Sequence, residues 1–201
     1  MTKKVFLKKW ILANITGFLI GYLLYTPIAH GLTGNHGREL NTNQIIAHCV
    51  ALAVVASILF LFQKSVLKDY ISISRIRIIL ATLAFVLLFW FGYYQTVIPG
   101  ELDYDILFAY LALGSGLWIG ILSFSTNKVK WLIAVLSFPF ASFIGEVILF
   151  VVYSSFDLNM DLQNSTTNHV VFWITVGITT GLLGGWLSGL VLYKMLPKPS
   201  K

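Results

Sequence analysis

The sequence has one cysteine and few acidic residues. Cys49 stands alone among 201 residues, so an intramolecular disulfide cannot form and a metal site built from several thiolates is excluded. Aspartate and glutamate together number 8, and charged residues make up 11% of the chain, which is less than half the share usual in soluble domains. A water-soluble globular fold is therefore not expected.

The sequence also lacks the motifs of common metal sites and hydrolases. His30, His36 and His169 are not spaced as ligands on one helix face, and neither His-Glu-x-x-His nor Gly-x-Ser-x-Gly occurs. The glycines of segment 31–37 follow no predicted strand, so this segment is not a phosphate-binding loop. We expect no metal, no cofactor and no recognisable catalytic residue.

Long apolar stretches dominate what is present. Hydrophobic residues account for 57% of the chain, and the mean hydropathy is +0.82. A bilayer core about 30 Å thick needs about 20 apolar residues per helix, and six stretches reach this length: approximately 10–29, 43–63, 78–97, 104–125, 130–153 and 170–193. The sequence predicts an all-α, polytopic transmembrane helix bundle in which residues 1–201 form a single integral membrane domain.

Charge is distributed unequally between the two ends of these stretches. Basic residues near helix ends stay on the cytoplasmic side during insertion. If both termini are cytoplasmic, every lysine and arginine of the chain except Arg38 lies on the cytoplasmic side. Most acids fall in the outer loops, with Asp69 inside and Glu146 within a span. We predict six spans with cytoplasmic N and C termini in the inner (plasma) membrane of a bacterium. This topology accounts for the net charge of +6, so the lipid bilayer is the expected partner and nucleic acid is not.

Three predicted spans begin with similar residues. Segment 9–14 (Lys-Trp-Ile-Leu-Ala-Asn) aligns with 77–82 (Arg-Ile-Ile-Leu-Ala-Thr) and with 130–135 (Lys-Trp-Leu-Ile-Ala-Val). This similarity predicts a threefold repeat of helical hairpins around an axis along the membrane normal, as in some transporters. Convergence explains the similarity equally well, because every helix that starts at the inner face needs a basic anchor.

Glycines recur at four-residue intervals within several spans. They are Gly17 and Gly21, then Gly116 and Gly120, then Gly177, Gly181, Gly185 and Gly189, with Gly184 beside the last group. Lipid provides no hydrophobic drive for helix association, so small residues mark the faces where helix backbones approach closely. The sixth span is therefore expected to be the central or inter-subunit helix, with Trp186 packed on its glycines.

Aromatic residues cluster near the predicted span ends. Trp10 and Tyr193 lie near the inner ends and Tyr25 lies near an outer end. Amphipathic rings favour the membrane interface, so we expect these residues to be interfacial anchors.

The first predicted hairpin resembles a group of small polytopic bacterial membrane proteins. The resemblance rests on Trp10-x-x-Ala13-x-x-x-Gly17-x-x-x-Gly21 and on the closing segment 63–68, Gln-x-x-Val-Leu-Lys. It covers about a third of the chain and implies the bundle fold. The group has no established activity, so the resemblance implies nothing about mechanism.

One acid lies within a predicted span, where an ionisable group costs about 2.5–3.5 kcal/mol and marks a functional site by default. This acid is Glu146, and Pro139 and Gly145 are expected to kink or locally unwind its helix. Counting residues from the outer span ends places other polar residues near its level: His48, Tyr110, Thr175 and Tyr25. This outer polar layer is a candidate ion or ligand site, and a protonated, purely structural Glu146 is the alternative.

Three functions remain open, and the first is favoured because the short loops leave few places for specific chemistry. The first is an accessory or structural subunit whose glycine-lined helix faces dock on a larger membrane complex or on further copies of the chain. The second is a small transporter or channel for a cation, a proton or a small amphiphile, with the layer around Glu146 as its site. The third is a lipid-acting membrane enzyme, which ranks last because no nucleophile or metal set is recognisable.

Overall fold

The described part of the chain is helical. The computed structural model describes residues 2–33, 42–97, 128–155 and 166–196, and these contain no strand. The helices are α1 (Lys3–Thr33), α2 (Thr42–Leu67), α3 (Arg75–Val97), α4 (Lys128–Ser155), α5 (Thr166–Thr179) and α6 (Gly185–Met195), with a π-helical turn (Thr180–Gly184) joining α5 to α6. We call the continuous segment 166–195 the terminal helix.

The predicted apolar stretches coincide with helices wherever the structure describes them. Stretches 10–29, 43–63, 78–97, 130–153 and 170–193 each lie inside a helix, and stretch 104–125 falls outside the described residues. Within the described ranges, four helical stretches are long and apolar enough to cross a membrane: Lys3–Tyr25, Cys49–Leu67, Leu136–Ser155 and Ile174–Met195.

Helix α1 packs antiparallel to α2. A Cβ atom on Gly17 would lie 2.8 Å from Leu59 Cδ1, and one on Gly21 would lie 2.8 Å from Val55 Cγ1. The later glycine of α1 faces the earlier residue of α2, so the two helices run in opposite directions and form a hairpin. The missing Cβ atoms let the two backbones approach closely.

The terminal helix packs antiparallel to α1 on another face. A Cβ atom on Gly181 would meet Ile15, whereas one on Gly189 would meet Trp10. Helix α1 therefore lies between α2 and the terminal helix. The starts of α1 and α4 and the ends of α2 and α6 lie together, and we call this the N-terminal end of the bundle.

Helices α3 and α4 complete the described packing. Helix α4 runs antiparallel to the terminal helix, because Gly184 faces Phe138 and Gly145 faces Thr179. Helix α3 contacts α2, and the rings of Phe60 and Phe85 meet edge to face across that contact at 6.2 Å.

The bundle buries polar groups and exposes large apolar ones. Phe140, Phe143 and Phe150 on α4 are each more than half exposed. Among the residues whose burial the structure describes, five polar ones are buried: Asn14, Gln63, Ser137, Thr180 and Ser188. A helix surface of this kind suits lipid, and the interior polar groups must find partners within the protein.

One sequence-based expectation about the aromatic residues is wrong. Trp10 is fully buried, so it is not an interfacial anchor. Helix α4 continues as one α-helix through the positions of Pro139 and Gly145, so local unwinding, one of the two alternatives expected there, is not found, and the kink stays a prediction. The irregular turn lies instead in the terminal helix, at Thr180–Gly184.

Candidate functional site

Two amide side chains meet in the interior between α1 and α2. Gln63 Nε2 donates a hydrogen bond of 2.7 Å to Asn14 Oδ1, and both residues are 0% exposed. Gln63 precedes the end of α2 by one helical turn, and Asn14 lies about 7 Å along α1 from Lys9 at the helical rise. The amide pair therefore lies toward the N-terminal end of the bundle.

The orientation of both amides follows from one backbone carbonyl. Asn14 Nδ2 donates to the carbonyl oxygen of Trp10 at 2.8 Å, so Asn14 Oδ1 must point away from that carbonyl and toward α2. Gln63 then has to direct its NH₂ group toward Asn14 Oδ1, because two amide oxygens facing each other would repel. The Gln63 oxygen, Oε1, is left as the free end of the pair.

Gln63 Oε1 is buried and accepts no hydrogen bond from any residue that the structure describes. A buried acceptor without a donor costs about 1–3 kcal/mol, and carbonyl oxygen is a ligand for hydrogen-bond donors and for hard cations. This atom is therefore suited to bind a donor or a cation, and it is the chemical centre of the candidate site.

A second hydrogen bond ties α1 to the terminal helix one turn closer to the end of the bundle. The Trp10 indole Nε1 donates to Ser188 Oγ at 3.0 Å. Ser188 Oγ in turn donates to the carbonyl oxygen of Gly185 at 3.4 Å. Asn14 packs directly on this helix, since a Cβ atom on Gly185 would lie 3.2 Å from Asn14 Cβ.

The π-helical turn lies beside the amide pair. Gly181, in this turn, contacts the backbone of Asn14 and Ile15. Thr180 precedes it, is 0% exposed, and its hydroxyl has no partner among the described residues. Turns of this type insert one extra residue into a helix and are frequent at functional sites. The level of Asn14 therefore combines an irregular backbone with a second unsatisfied polar atom.

Four aromatic side chains separate this level from the N-terminal end of the bundle. Phe6 stacks on Trp10 with ring centroids 6.1 Å apart, and it contacts the rings of Tyr70 and Tyr193 at 5.4 and 5.6 Å. We call Phe6, Trp10, Tyr70 and Tyr193 the aromatic cluster. Phe6 and Trp10 are fully buried in it, and Tyr70 and Tyr193 are half-buried.

Tyr70, in the turn after α2, is polar at its tip but gains no hydrogen bond from the described residues. Burial raises the pKa of its hydroxyl above the ordinary value, and the nearby Tyr193 and Asp69 raise the pKa further. The hydroxyl therefore stays neutral at physiological pH, as a member of a closed apolar cluster should.

The outer polar layer expected from the sequence is only partly described. Thr175 and Tyr25 are half-buried, and Tyr25 packs against the hydrophobic core. Glu146 and His48 lie within α4 and α2, but their side chains and that of Pro139 are outside the described part, as are Tyr110, Gly116 and Gly120. The outer layer stays a prediction.

The buried amide pair was not predicted as a site. Asn14 and Gln63 are 49 positions apart in the chain, and each lies close to the end of an apolar stretch, where a polar residue is expected to face headgroups and water. One signal did exist. Asn14 is three residues before Gly17 and so lies on the glycine face of α1, and Gln63 is four residues after Leu59 and so lies on the face of α2 that meets Gly17.

Comparison of the chain with protein-family models, with curated proteins and with solved structures finds no match. The function therefore has to be argued from the residues themselves.

Proposed function

We propose that the chain is a small membrane transporter or channel for a cation, or for another small hydrogen-bond donor, and that Gln63 and Asn14 form its binding site. The observation that carries the proposal is the fully buried Gln63 Oε1, which accepts no hydrogen bond from the described residues. In a membrane interior an unsatisfied polar group is costly and its retention points to a functional role.

The chemistry of this atom limits the cargo. Amide oxygen coordinates monovalent and divalent hard cations and accepts hydrogen bonds from ammonium, hydroxyl or water. An amide does not titrate in the physiological range, so this site alone would bind a cation or a donor rather than relay protons.

The proposal includes the finer topology. Six spans with both termini cytoplasmic, in a bacterial inner membrane, would place the N-terminal end of the bundle and its many lysines in the cytoplasm. The amide pair would then lie in the cytoplasmic half of the membrane, and the aromatic cluster would close it from the cytoplasm. The layer around Glu146, His48 and Tyr110 would form the outer part of the same path.

The burial pattern favours the threefold hairpin repeat. In the three aligned segments the alanines are all buried: Ala13, Ala81 and Ala134. The residues preceding them, Leu12, Leu80 and Ile133, are all exposed. These two aligned positions therefore share their environments, as expected of a repeat built around a shared axis, whereas the next position differs, since Asn14 is buried and Thr82 is half-buried.

An accessory subunit would have to dock through a surface other than the glycine faces packed within the described part, or through Gly116 and Gly120, which lie outside the described residues. Gly17, Gly21, Gly181, Gly184 and Gly189 each face another helix of the same chain. These faces are occupied within the molecule, so docking on a larger complex through them would require the bundle to open. A transporter needs no such opening.

The test is flux into liposomes that contain only this protein. Thallium(I), a monovalent cation that quenches trapped fluorescent dyes, is the probe. We expect wild-type flux above that of empty liposomes and a loss of at least about tenfold in Gln63→Met, which keeps an unbranched side chain of similar length. Ser57→Ala is the matched control, because Ser57 lies on the same helix and its hydroxyl donates to the carbonyl oxygen of Ala53 within that helix.

Folding and binding are checked separately. Size exclusion and the midpoint of thermal unfolding show whether Gln63→Met is folded. In the unmodified protein, rubidium should raise that midpoint relative to choline, because a ligand of the folded state stabilises it. Equal flux in wild type and Gln63→Met, or no flux and no rubidium effect, would overturn the proposal; in the second case Gln63 Oε1 holds a structural water.

A further inference from the structure

A groove runs along the lipid-facing side of the contact between α1 and the terminal helix. It has a volume of about 470 Å³ and is lined by Lys4, Leu7, Lys8, Ile11, Leu12, Ile15 and Trp186. Leu12 and Trp186 are exposed, at 60% and 47%. Trp186 was expected to pack on glycines, but it forms one wall of this groove instead.

The lining is ordered along the groove. On α1 one row of residues at four-residue spacing reads Lys4, Lys8, Leu12, and the neighbouring row reads Leu7, Ile11, Ile15. The charged end therefore coincides with the N-terminal end of the bundle and the rest is apolar. From Lys4 to Ile15 the groove is about 16 Å long at the helical rise, close to half of a bilayer core of about 30 Å.

The two lysines are not neutralised by the helices that form the groove. Neither α1 nor the terminal helix contains an acidic residue. Lysines four residues apart on one helix repel each other, and an anion placed between them would remove that repulsion. The apolar length below them fits an acyl chain and does not fit a free, water-soluble anion.

We infer that this groove is a binding site for one anionic phospholipid of the leaflet that faces the lysines. The phosphate headgroup lies between Lys4 and Lys8, and one acyl chain lies along Leu7, Ile11 and Ile15 against Trp186. Basic pockets between membrane helices on the cytoplasmic side bind anionic headgroups in this way. The inference does not depend on transport.

Native mass spectrometry of the detergent-purified chain tests the site. Phosphatidylglycerol and phosphatidylethanolamine of identical chains are titrated separately, and apparent dissociation constants are compared. We expect one phosphatidylglycerol to bind more tightly than any phosphatidylethanolamine. Lys4→Gln with Lys8→Gln should weaken phosphatidylglycerol by about 30-fold, the effect of losing two cationic contacts.

The matched control is Lys3→Gln with Lys9→Gln, which removes the same charge from the same helix outside the groove lining. It should leave binding within twofold of wild type, and glycerol phosphate without acyl chains should not displace the lipid. Equal weakening by both double variants would mean diffuse attraction to the basic surface. That result would overturn the inference. A lack of selectivity for phosphatidylglycerol would also overturn it, and so would displacement of the lipid by glycerol phosphate.

Discussion

Helix α1 makes two glycine-lined contacts, and they differ in what the glycines face. Toward α2, a Cβ atom on Gly21 would meet the side chain of Val55, with the nearest atom Cγ1 at 2.8 Å. Toward the terminal helix, a Cβ atom on Gly181 would meet the backbone of Ile15, with Cα at 2.5 Å and N at 2.6 Å. At Gly21 the contact is fitted by a side chain, whereas at Gly181 it brings two main chains together; Gly17, with Leu59 Cδ1 at 2.8 Å and Leu59 Cα at 3.1 Å, lies between these two cases.

The π-helical turn explains why the second contact is closer. An extra residue in the turn widens the terminal helix locally, and Gly181 is the part of that turn that faces α1. A side chain can change its rotamer to relieve a clash, but a backbone can move only with its helix. The glycines of the two contacts should therefore differ in how much substitution they tolerate.

The largest effect is expected for Gly181→Ala. The added methyl group has no space unless α1 and the terminal helix separate, so we expect a loss of about 3 kcal/mol in the free energy of unfolding, at the upper end for overpacking. Reversible unfolding in mixed detergent measures it. Leu182→Ala, at an exposed position of the same turn, is the control, and equal losses in both variants would show that the main chains are not in close contact.

A smaller effect is expected for Gly21→Ala, with a loss of about 1–2 kcal/mol, because Val55 has to shift its methyl group. Trimming that side chain should relieve the clash. The double variant Gly21→Ala with Val55→Ala should unfold at a free energy closer to wild type than the sum of the single losses. If the two single losses in free energy simply add in the double variant, the Val55 side chain is not what limits the space at Gly21. The α2 backbone would then limit it, and the difference between the two contacts would disappear.

The smallest effect is expected for the hydrogen bond between the Trp10 indole and Ser188. Interhelical hydrogen bonds in membrane proteins average about 0.6 kcal/mol, and backbone contact at Gly181 and Gly185 should hold the interface without it. A double-mutant cycle of Ser188→Ala with Trp10→Phe isolates the coupling energy. A coupling above about 2 kcal/mol would mean that this polar link, rather than close packing, joins the terminal helix to α1.

The sequence was sufficient to predict the helices. Apolar length and flanking lysines are local properties, so the limits of α2, α3, α4 and the terminal helix lie within four residues of the predicted stretches, whereas α1 begins seven residues earlier than predicted. The four-residue glycine spacing also marked faces that approach other helices.

The partners across those faces could not be predicted. Which helix meets Gly181 depends on rotation and depth, and a pattern within one helix specifies neither. Trp10 shows the consequence, because an aromatic residue beside Lys9 has the composition of an interfacial anchor. Its burial depends on Gly189 in a helix 179 positions later, where a Cβ atom would lie 2.7 Å from the indole. The Asn14–Gln63 pair was missed for the same reason.

The donors around the amide pair all point in one direction, from Gln63 to Asn14 and from Asn14 to the carbonyl of Trp10. The dipoles of the two side-chain amides are therefore aligned head to tail, and the end without a partner among the described residues, Gln63 Oε1, carries partial negative charge. In a chain with a net charge of +6, this oxygen would repel chloride or a carboxylate, and because amides do not titrate in the physiological range that discrimination would be insensitive to pH.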